Sequence, residues 1–291
     1  MKNAMQLKAV IKNIAKEKKI SAQLVLQNYM LERFLERVSL SKYRNNCIIK
    51  GGFLISSMVG LDSRATMDMD FTIKNYPVNE DTIKTMIEDV IAVSIDDNIT
   101  FRLKSIGLIR EGDEYNGYRV ALSADYEKMA APLKLDITTG DKITPSEIEY
   151  TYKLMLEDRS ISIWAYNLST ILAEKLETVV SRSDQNTRPR DYYDIYILTR
   201  LQSGNIDINS LNKALIATTK KRGSDVIIRQ YREIIQVVVN SEVMKQQWNN
   251  YRKDFEYAEE IEFEDTCDAV INIMDKLFLN KESIHSFNKT S

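Results

Sequence analysis

Lys50-Gly51-Gly52-Phe53, followed by Arg64-Ala65-Thr66-Met67-Asp68-Met69-Asp70-Phe71, constrains this chain more than any other stretch. The glycine pair opens a helix-like run from Phe53 to Val59 that Gly60 ends, and residues 67–74 read as a strand. Strand side chains alternate between faces, so Asp68, Asp70 and Thr72 point one way and Met67, Met69, Phe71 and Ile73 the other. Two carboxylates on one face repel each other unless a cation lies between them. Mg²⁺ suits that place, because it takes oxygen ligands and shares them with substrate phosphates. A face of this kind can hold a nucleoside triphosphate for attack at its α-phosphorus. Each element also has a plainer reading. Asp-x-Asp occurs in turns and solvated strands. A glycine pair serves a tight turn or close helix–strand packing as well as close approach to a phosphate.

Composition narrows the chemistry. The 291 residues are enough for two domains at about 150 residues each. A net charge of −2 gives no global attraction to nucleic acid, so an RNA or DNA partner needs a local basic patch. Cys47 and Cys267 match no metal spacing and read as cytosolic thiols. Met1 to Lys19 is interrupted by lysines and lacks the apolar core of a signal peptide, and no apolar run approaches a membrane span. A cytoplasmic location is expected. His285 is the single histidine and sits in a polar tail, which leaves Ser-His-Asp triads, Cys-His pairs and histidine zinc sites without their key residue. The chemistry falls to carboxylates, lysine and arginine.

Residues 1–40 read as helical, and Cys47-Ile48-Ile49 as a short extended segment before the glycines. Asp81 to Val90 reads as a helix. Thr100 to Ile109, Tyr118 to Ser123 after a turn at Asn116-Gly117, and Leu133 to Thr138 read as strands. In the first of these, Phe101, Leu103 and Ser105 alternate against Arg102 and Lys104. From about residue 165 the pattern is helical: Leu168 to Arg182, Asp191 to Leu201, Ile208 to Lys221, Asp225 to Val239, Ser241 to Tyr257 and Glu264 to Leu279, with a frayed tail from about Asn280. The expected fold is α+β, a mixed-sheet domain over residues 1–160 followed by a helical bundle over residues 161–291.

Leu133, Leu135 and Ile137 put Asp136 on the polar side of its strand. If that strand neighbours the first, Asp68, Asp70 and Asp136 converge on one metal-binding surface, as two-metal chemistry requires. In the helical half, Lys175 and Arg182 are seven apart and share a helix face. A solvated helix with Glu174 or Glu177 as local partners explains them equally well. Asp191 and Asp194 are neighbours on the next helix, where Asp191 also suits an N-terminal cap. Arg188 and Arg190 form a basic loop able to meet phosphates.

The ordered set Lys-Gly-Gly-Phe, Arg-x-Thr-x-Asp-x-Asp, strand Leu-Asp-Ile, Lys-x-Glu-x-x-x-x-Arg and Arg-Asp-x-x-Asp-Ile resembles the AbiEii family of nucleotidyltransferase-like toxins, over roughly residues 45–200. These are the toxin halves of bacterial AbiE abortive-infection and toxin–antitoxin pairs. The resemblance implies a DNA polymerase β-like nucleotidyltransferase fold followed by a helical domain, with Mg²⁺ and NTP binding. It implies that Gly51 and Gly52 approach the triphosphate and that Asp68 and Asp70 hold the metal. Lys175 would face the triphosphate, and Asp191, beside Asp194, would position Lys175 or help deprotonate the acceptor. Arg64 is a candidate phosphate or carboxylate contact, Arg182 a nucleotide contact, and Arg188 and Arg190 RNA contacts. Family members are associated with GTP binding, related ones add nucleotides to the 3′ end of tRNA and block translation, and a cognate antitoxin is encoded nearby. One departure is the fifteen residues between Gly52 and Asp68, longer than the general nucleotidyltransferase pattern, which a turn at Gly60-Leu61-Asp62 absorbs. Two other readings stand beside tRNA transfer: nucleotidylation of a protein side chain, and a non-catalytic toxin that binds GTP or RNA.

Overall fold

In the computed structural model, residues 3–109 and 117–287 are described. Asn116 of the expected turn lies outside them. The chain divides into two compact units. The first comprises residues 1–141 and 147–166, the second residues 142–146 and 167–291.

The first unit is a mixed sheet covered by helices. Its helices are α1 (Ala4–Glu17), α2 (Ala22–Leu40), α3 (Gly51–Val59) and α4 (Glu80–Ile91). Its strands are β1 (Cys47–Lys50), β2 (Asp68–Ile73), β3 (Thr100–Leu108), β4 (Tyr118–Tyr126), β5 (Met129–Thr139), β6 (Ile148–Lys153) and β7 (Ser160–Ala165). They form one seven-stranded sheet in the order β3-β4-β5-β2-β1-β7-β6. The pairs β2–β5 and β1–β7 are parallel, and the others antiparallel.

The helices start where the local chemistry sets them. The Ser21 hydroxyl accepts the Leu24 amide at 3.1 Å to cap α2, and Asn79 with Thr82 forms a capping box for α4. Gly60 ends α3 at φ +99°. One face of the sheet is apolar and buried, through Met69, Phe71 and Ile73 of β2 and Leu133, Leu135 and Ile137 of β5. Phe34 of α2 meets Phe71 and Phe101 edge-on, at 6.5 and 5.9 Å between ring centres.

Helix α2 also buries charge. Arg37 forks onto Asp97 with two bonds of 2.8 Å, and Glu32 accepts from Arg33 at 2.8 Å and from the Met155 amide at 2.6 Å. Burial pushes the Glu32 carboxyl up to about 7, against the opposing pull of Arg33.

Several expectations need correction. Met67 precedes β2 and is exposed rather than facing the core. A bulge between Leu103 and Ser105 moves Ser105 to the face of Arg102, so β3 does not alternate as its sequence reads. The strands continue past Thr138, because β6 and β7 extend the sheet to Ala165.

The second unit is helical: α5 (Leu168–Arg182), α6 (Pro189–Leu201), α7 (Ile208–Arg222), α8 (Tyr231–Asn240), α9 (Glu242–Asp254) and α10 (Phe263–Phe287). The helix expected from Asp225 begins later, at Tyr231, after a 3₁₀ turn over Ile227–Gln230. The backbone of α10 runs on to Phe287 instead of fraying at Asn280. Trp248 is fully enclosed, stacks at 5.5 Å on Tyr251, and donates its indole N–H to the Ile261 carbonyl at 3.0 Å. Cys47 and Cys267 are both buried, which pushes both thiols up to about 12. Among the described residues no helix is long and apolar enough to cross a membrane.

Candidate functional site

In the first unit the site is built on the polar face of β2 and β5. Their parallel register sets Asp68 beside Lys134 and Asp70 beside Asp136. Neighbours in register share a face, so Asp68, Asp70 and Asp136 lie together opposite the buried Met69, Phe71 and Leu135. On the other side of β2, Lys50 of β1 pairs with Asp70.

Directly after Lys50 the chain turns into α3. Gly51 has φ +68°, and a Cβ there would lie 1.9 Å from Asp70 Oδ2. A Cβ on Gly52 would lie 2.9 Å from Thr66 Oγ1 and 3.2 Å from Arg64 Nη2. The glycine pair is therefore a fitted turn that lets the Asp70 carboxylate press against the start of α3. Arg64 is buried beneath Gly52 and donates to the Ala65 carbonyl.

Asp68 and Asp136 each have a cationic neighbour. Asp68 accepts from Thr66 Oγ1 at 3.0 Å and lies 2.9 Å from Lys134 Nζ. Asp136 takes a two-pronged bond from Arg119 of β4, at 2.9 and 2.8 Å. That bond raises the pKa of Arg119, with the Asp68 and Asp70 charges adding to it. Deeper on the same face, Lys50 Nζ donates to Thr138 Oγ1 at 2.7 Å and to Asp141. Burial alone would raise the Asp141 carboxyl, but the Lys50 ammonium outweighs it and holds the group well below the usual carboxylate range.

Among the described residues no three His, Cys, Asp or Glu side chains form a group that could hold a metal ion. Strand pairing aligns the three aspartates, but Asp136 is bonded to Arg119 instead of closing on Asp68 and Asp70. The donor set still fits Mg²⁺. Oxygen donors are its ligands, and it is usually held by one or two carboxylates completed by substrate phosphates rather than by an all-protein cage.

The second unit holds the other predicted residues. Lys175 of α5 reaches Asp191 at 2.6 Å and Asp194 at 2.7 Å, with both carboxylates fully buried and the lysine side chain 14 % exposed. Burial alone would lower the Lys175 pKa, and the charges of Asp191 and Asp194 override it and raise it. Asp191 does not cap α6. The helix starts at Pro189 with no side-chain cap, and Asp191 turns inward from the first turn.

Arg188 is likewise drawn to Asp191. Its Nη2 donates to Oδ1 at 3.3 Å, while Nε lies 3.1 Å from Oδ2 in an ionic contact that is not a hydrogen bond. Arg190 is exposed, and Arg182 is half-buried at the end of α5. Glu177 is not a partner of Lys175. It accepts from Ser224 at 2.8 Å and from Arg222. A cleft of about 550 Å³ lined by Tyr196, Arg200, Ile206, Asp265, Asp268 and Lys276 contains none of the predicted site residues.

Sequence reasoning missed Lys134, Arg119 and the Lys50–Asp141 pair. Lys134 was within reach, since it shares the alternating face of Asp136. Arg119 and Asp141 depend on pairings between distant segments.

Residues 33–270 match the family model described as "Nucleotidyl transferase AbiEii toxin, Type IV TA system". Two crystal structures from Helicobacter pylori are similar in fold. JHP933 is 16% identical with a TM-score of 0.50, covering 92% of this chain and 99% of that one. A protein provisionally described as a nucleotidyltransferase is 16% identical with a TM-score of 0.50, covering 91% and 99%. No curated protein matches the chain.

Proposed function

The chain belongs to the AbiEii family of nucleotidyl transferase toxins of type IV toxin–antitoxin systems, and we propose that it transfers a nucleoside monophosphate from an NTP to the 3′ end of tRNA in a Mg²⁺-dependent reaction that blocks translation. The observation that carries this reading is the seat of Asp70. Its carboxylate shares a strand face with Asp68 and fills the space that Gly51 leaves by having no Cβ.

Asp68 and Asp70 would hold the ion, which when bound activates the attacking hydroxyl and neutralises the departing pyrophosphate. The backbone of Gly51 and Gly52 approaches the triphosphate. Lys175 keeps the triphosphate contact that the family resemblance implies, with Asp191 and Asp194 fixing its ammonium. Arg182 is assigned to the nucleotide and Arg190 to RNA, whereas Arg188 is committed to Asp191. GTP is one candidate donor. A type IV system implies a cognate antitoxin as partner.

The test incubates purified protein with total bacterial RNA, Mg²⁺ and each α-labelled NTP in turn, with Asp68→Ala alongside. Label entering a tRNA-sized band, and lost in Asp68→Ala, is the expected result and names the base. Label in protein bands alone would replace RNA by a protein acceptor. No label in either would leave a non-catalytic toxin.

A further inference from the structure

The proposed reading assigns the carboxylates of the first unit and leaves their cations without a role. Lys134 and Arg119 stand on the same sheet face, from neighbouring strands β5 and β4. Each reaches in from solvent. The Lys134 side chain is 40 % exposed over an Asp68 that is 18 % exposed, and Arg119 is 49 % exposed over an Asp136 that is 16 % exposed.

In each pair the carboxylate is the enclosed member and the cation the exposed one. An ion pair with a half-exposed cation contributes little to stability, and the two-pronged Arg119 bond is the stronger of the two. A divalent ion offered two adjacent carboxylates and a phosphate outcompetes that easily. Bonding between Arg119 and Asp136 also explains why the third aligned aspartate stands apart from Asp68 and Asp70 here.

Resting on the proposed nucleotidyltransferase reading, we infer that Lys134 and Arg119 are exchangeable counter-ions, which yield Asp68 and Asp136 to a divalent cation and then bind the triphosphate of the incoming nucleotide. Without metal they neutralise a face that would otherwise repel itself. With metal they become two free donors beside the ion, on the face the triphosphate must meet. Lysine serves as a point charge and arginine as a planar fork, and both suit phosphate oxygens.

The test measures Mn²⁺ binding from the free-ion electron paramagnetic resonance signal, at low ionic strength, for the full chain and for Lys134→Met, Arg119→Met and Asp68→Ala. Calorimetry with Mg²⁺-tripolyphosphate follows. The expected result is Mn²⁺ binding about two- to fivefold tighter in Lys134→Met and Arg119→Met, since a competitor worth up to about 1 kcal/mol is gone. Tripolyphosphate binding should weaken in the same two variants. Damage to the fold cannot produce a gain in metal affinity, so the opposite signs exclude misfolding as their cause. Mn²⁺ affinity unchanged or weaker in both variants would overturn the inference while leaving the metal site standing. Tighter Mn²⁺ with unchanged tripolyphosphate would overturn it too. Mn²⁺ uptake absent from the unsubstituted chain, as from Asp68→Ala, would remove the metal reading and the inference together.

Discussion

The carboxylate face of the first unit and the Lys175 cluster of the second use the same side chains in opposite surroundings. Asp68 and Asp136 are mostly enclosed and met by lysine and arginine side chains that remain about half in water. Asp191 and Asp194 are fully buried and share one lysine that is itself nearly enclosed. Water screens the first set, so its partners are replaceable at little cost. The second set has no water to fall back on, so its members are obligatory to one another. The first set can exchange its partners, and the second holds its lysine in place.

The largest effect should come from breaking the buried set. Asp191→Ala leaves Lys175 and Arg188 short of a charge partner and should cost about 3 kcal/mol or more in urea unfolding. A loss under about 1 kcal/mol would mean that the cluster is solvated and that the contrast between the two regions fails.

Next in size is Gly51→Ala, which meets both an unfavourable φ and the Asp70 carboxylate. It should lose about 2–3 kcal/mol together with any nucleotidyl transfer. Gly223→Ala is the control in the other unit, because φ is a similar +66° with nothing within 4 Å of the added Cβ. It should lose only about 1 kcal/mol, so the difference isolates the clash. Equal losses would show that Asp70 moves aside freely.

Alkaline unfolding sharpens the comparison further. The Lys175 pKa is raised in the folded chain by the charges of Asp191 and Asp194, which override burial. Its contribution should be fully present below the unfolded lysine value of about 10.4 and be lost as pH rises through the higher folded one. Lys175→Met should flatten that alkaline limb, and an unchanged limb would place the titration elsewhere.

The smallest effect belongs to Lys134→Met, under about 1 kcal/mol at low salt and absent in about 1 M salt, where the screening length falls to roughly 3 Å. A larger, salt-insensitive loss would make Lys134 a structural residue and erase the distinction.

Much of the first unit is legible from alternation because one face of β2 and β5 is buried, which forces Met69, Phe71, Leu135 and Ile137 onto one side and the aspartates onto the other. Alternation fails at β3, where one extra residue at the bulge reverses the face of everything after it. β6 does alternate, with Ile148, Tyr150 and Tyr152 against Glu149, Thr151 and Lys153, but Ile148 is exposed and only Tyr152 is fully buried, so its rhythm carries little hydrophobic signal. Helix periodicity places Lys175 on α5, but not its partners. Those lie 16 and 19 residues away on α6, while the nearby Glu177 is engaged with Arg222 and Ser224. Cross-chain pairing, unlike periodicity, leaves no local mark.

The short segment 142–146 has a consequence for anyone wishing to separate the halves. It belongs to the helical unit although strands of the sheet unit follow it. Thr170 Oγ1 accepts the Thr144 amide at 3.0 Å, and Asn167 Nδ2 donates to the Thr144 and Ser146 carbonyls at 3.0 and 2.7 Å. A protein stopped after Tyr166 would keep those five residues and lose every one of these partners. A helical half begun at Asn167 would lack them and leave the first turn of α5 without its acceptors. Exchanging the helical half between relatives therefore requires grafting two pieces of chain rather than one, and a single crossover point in the gene cannot do it.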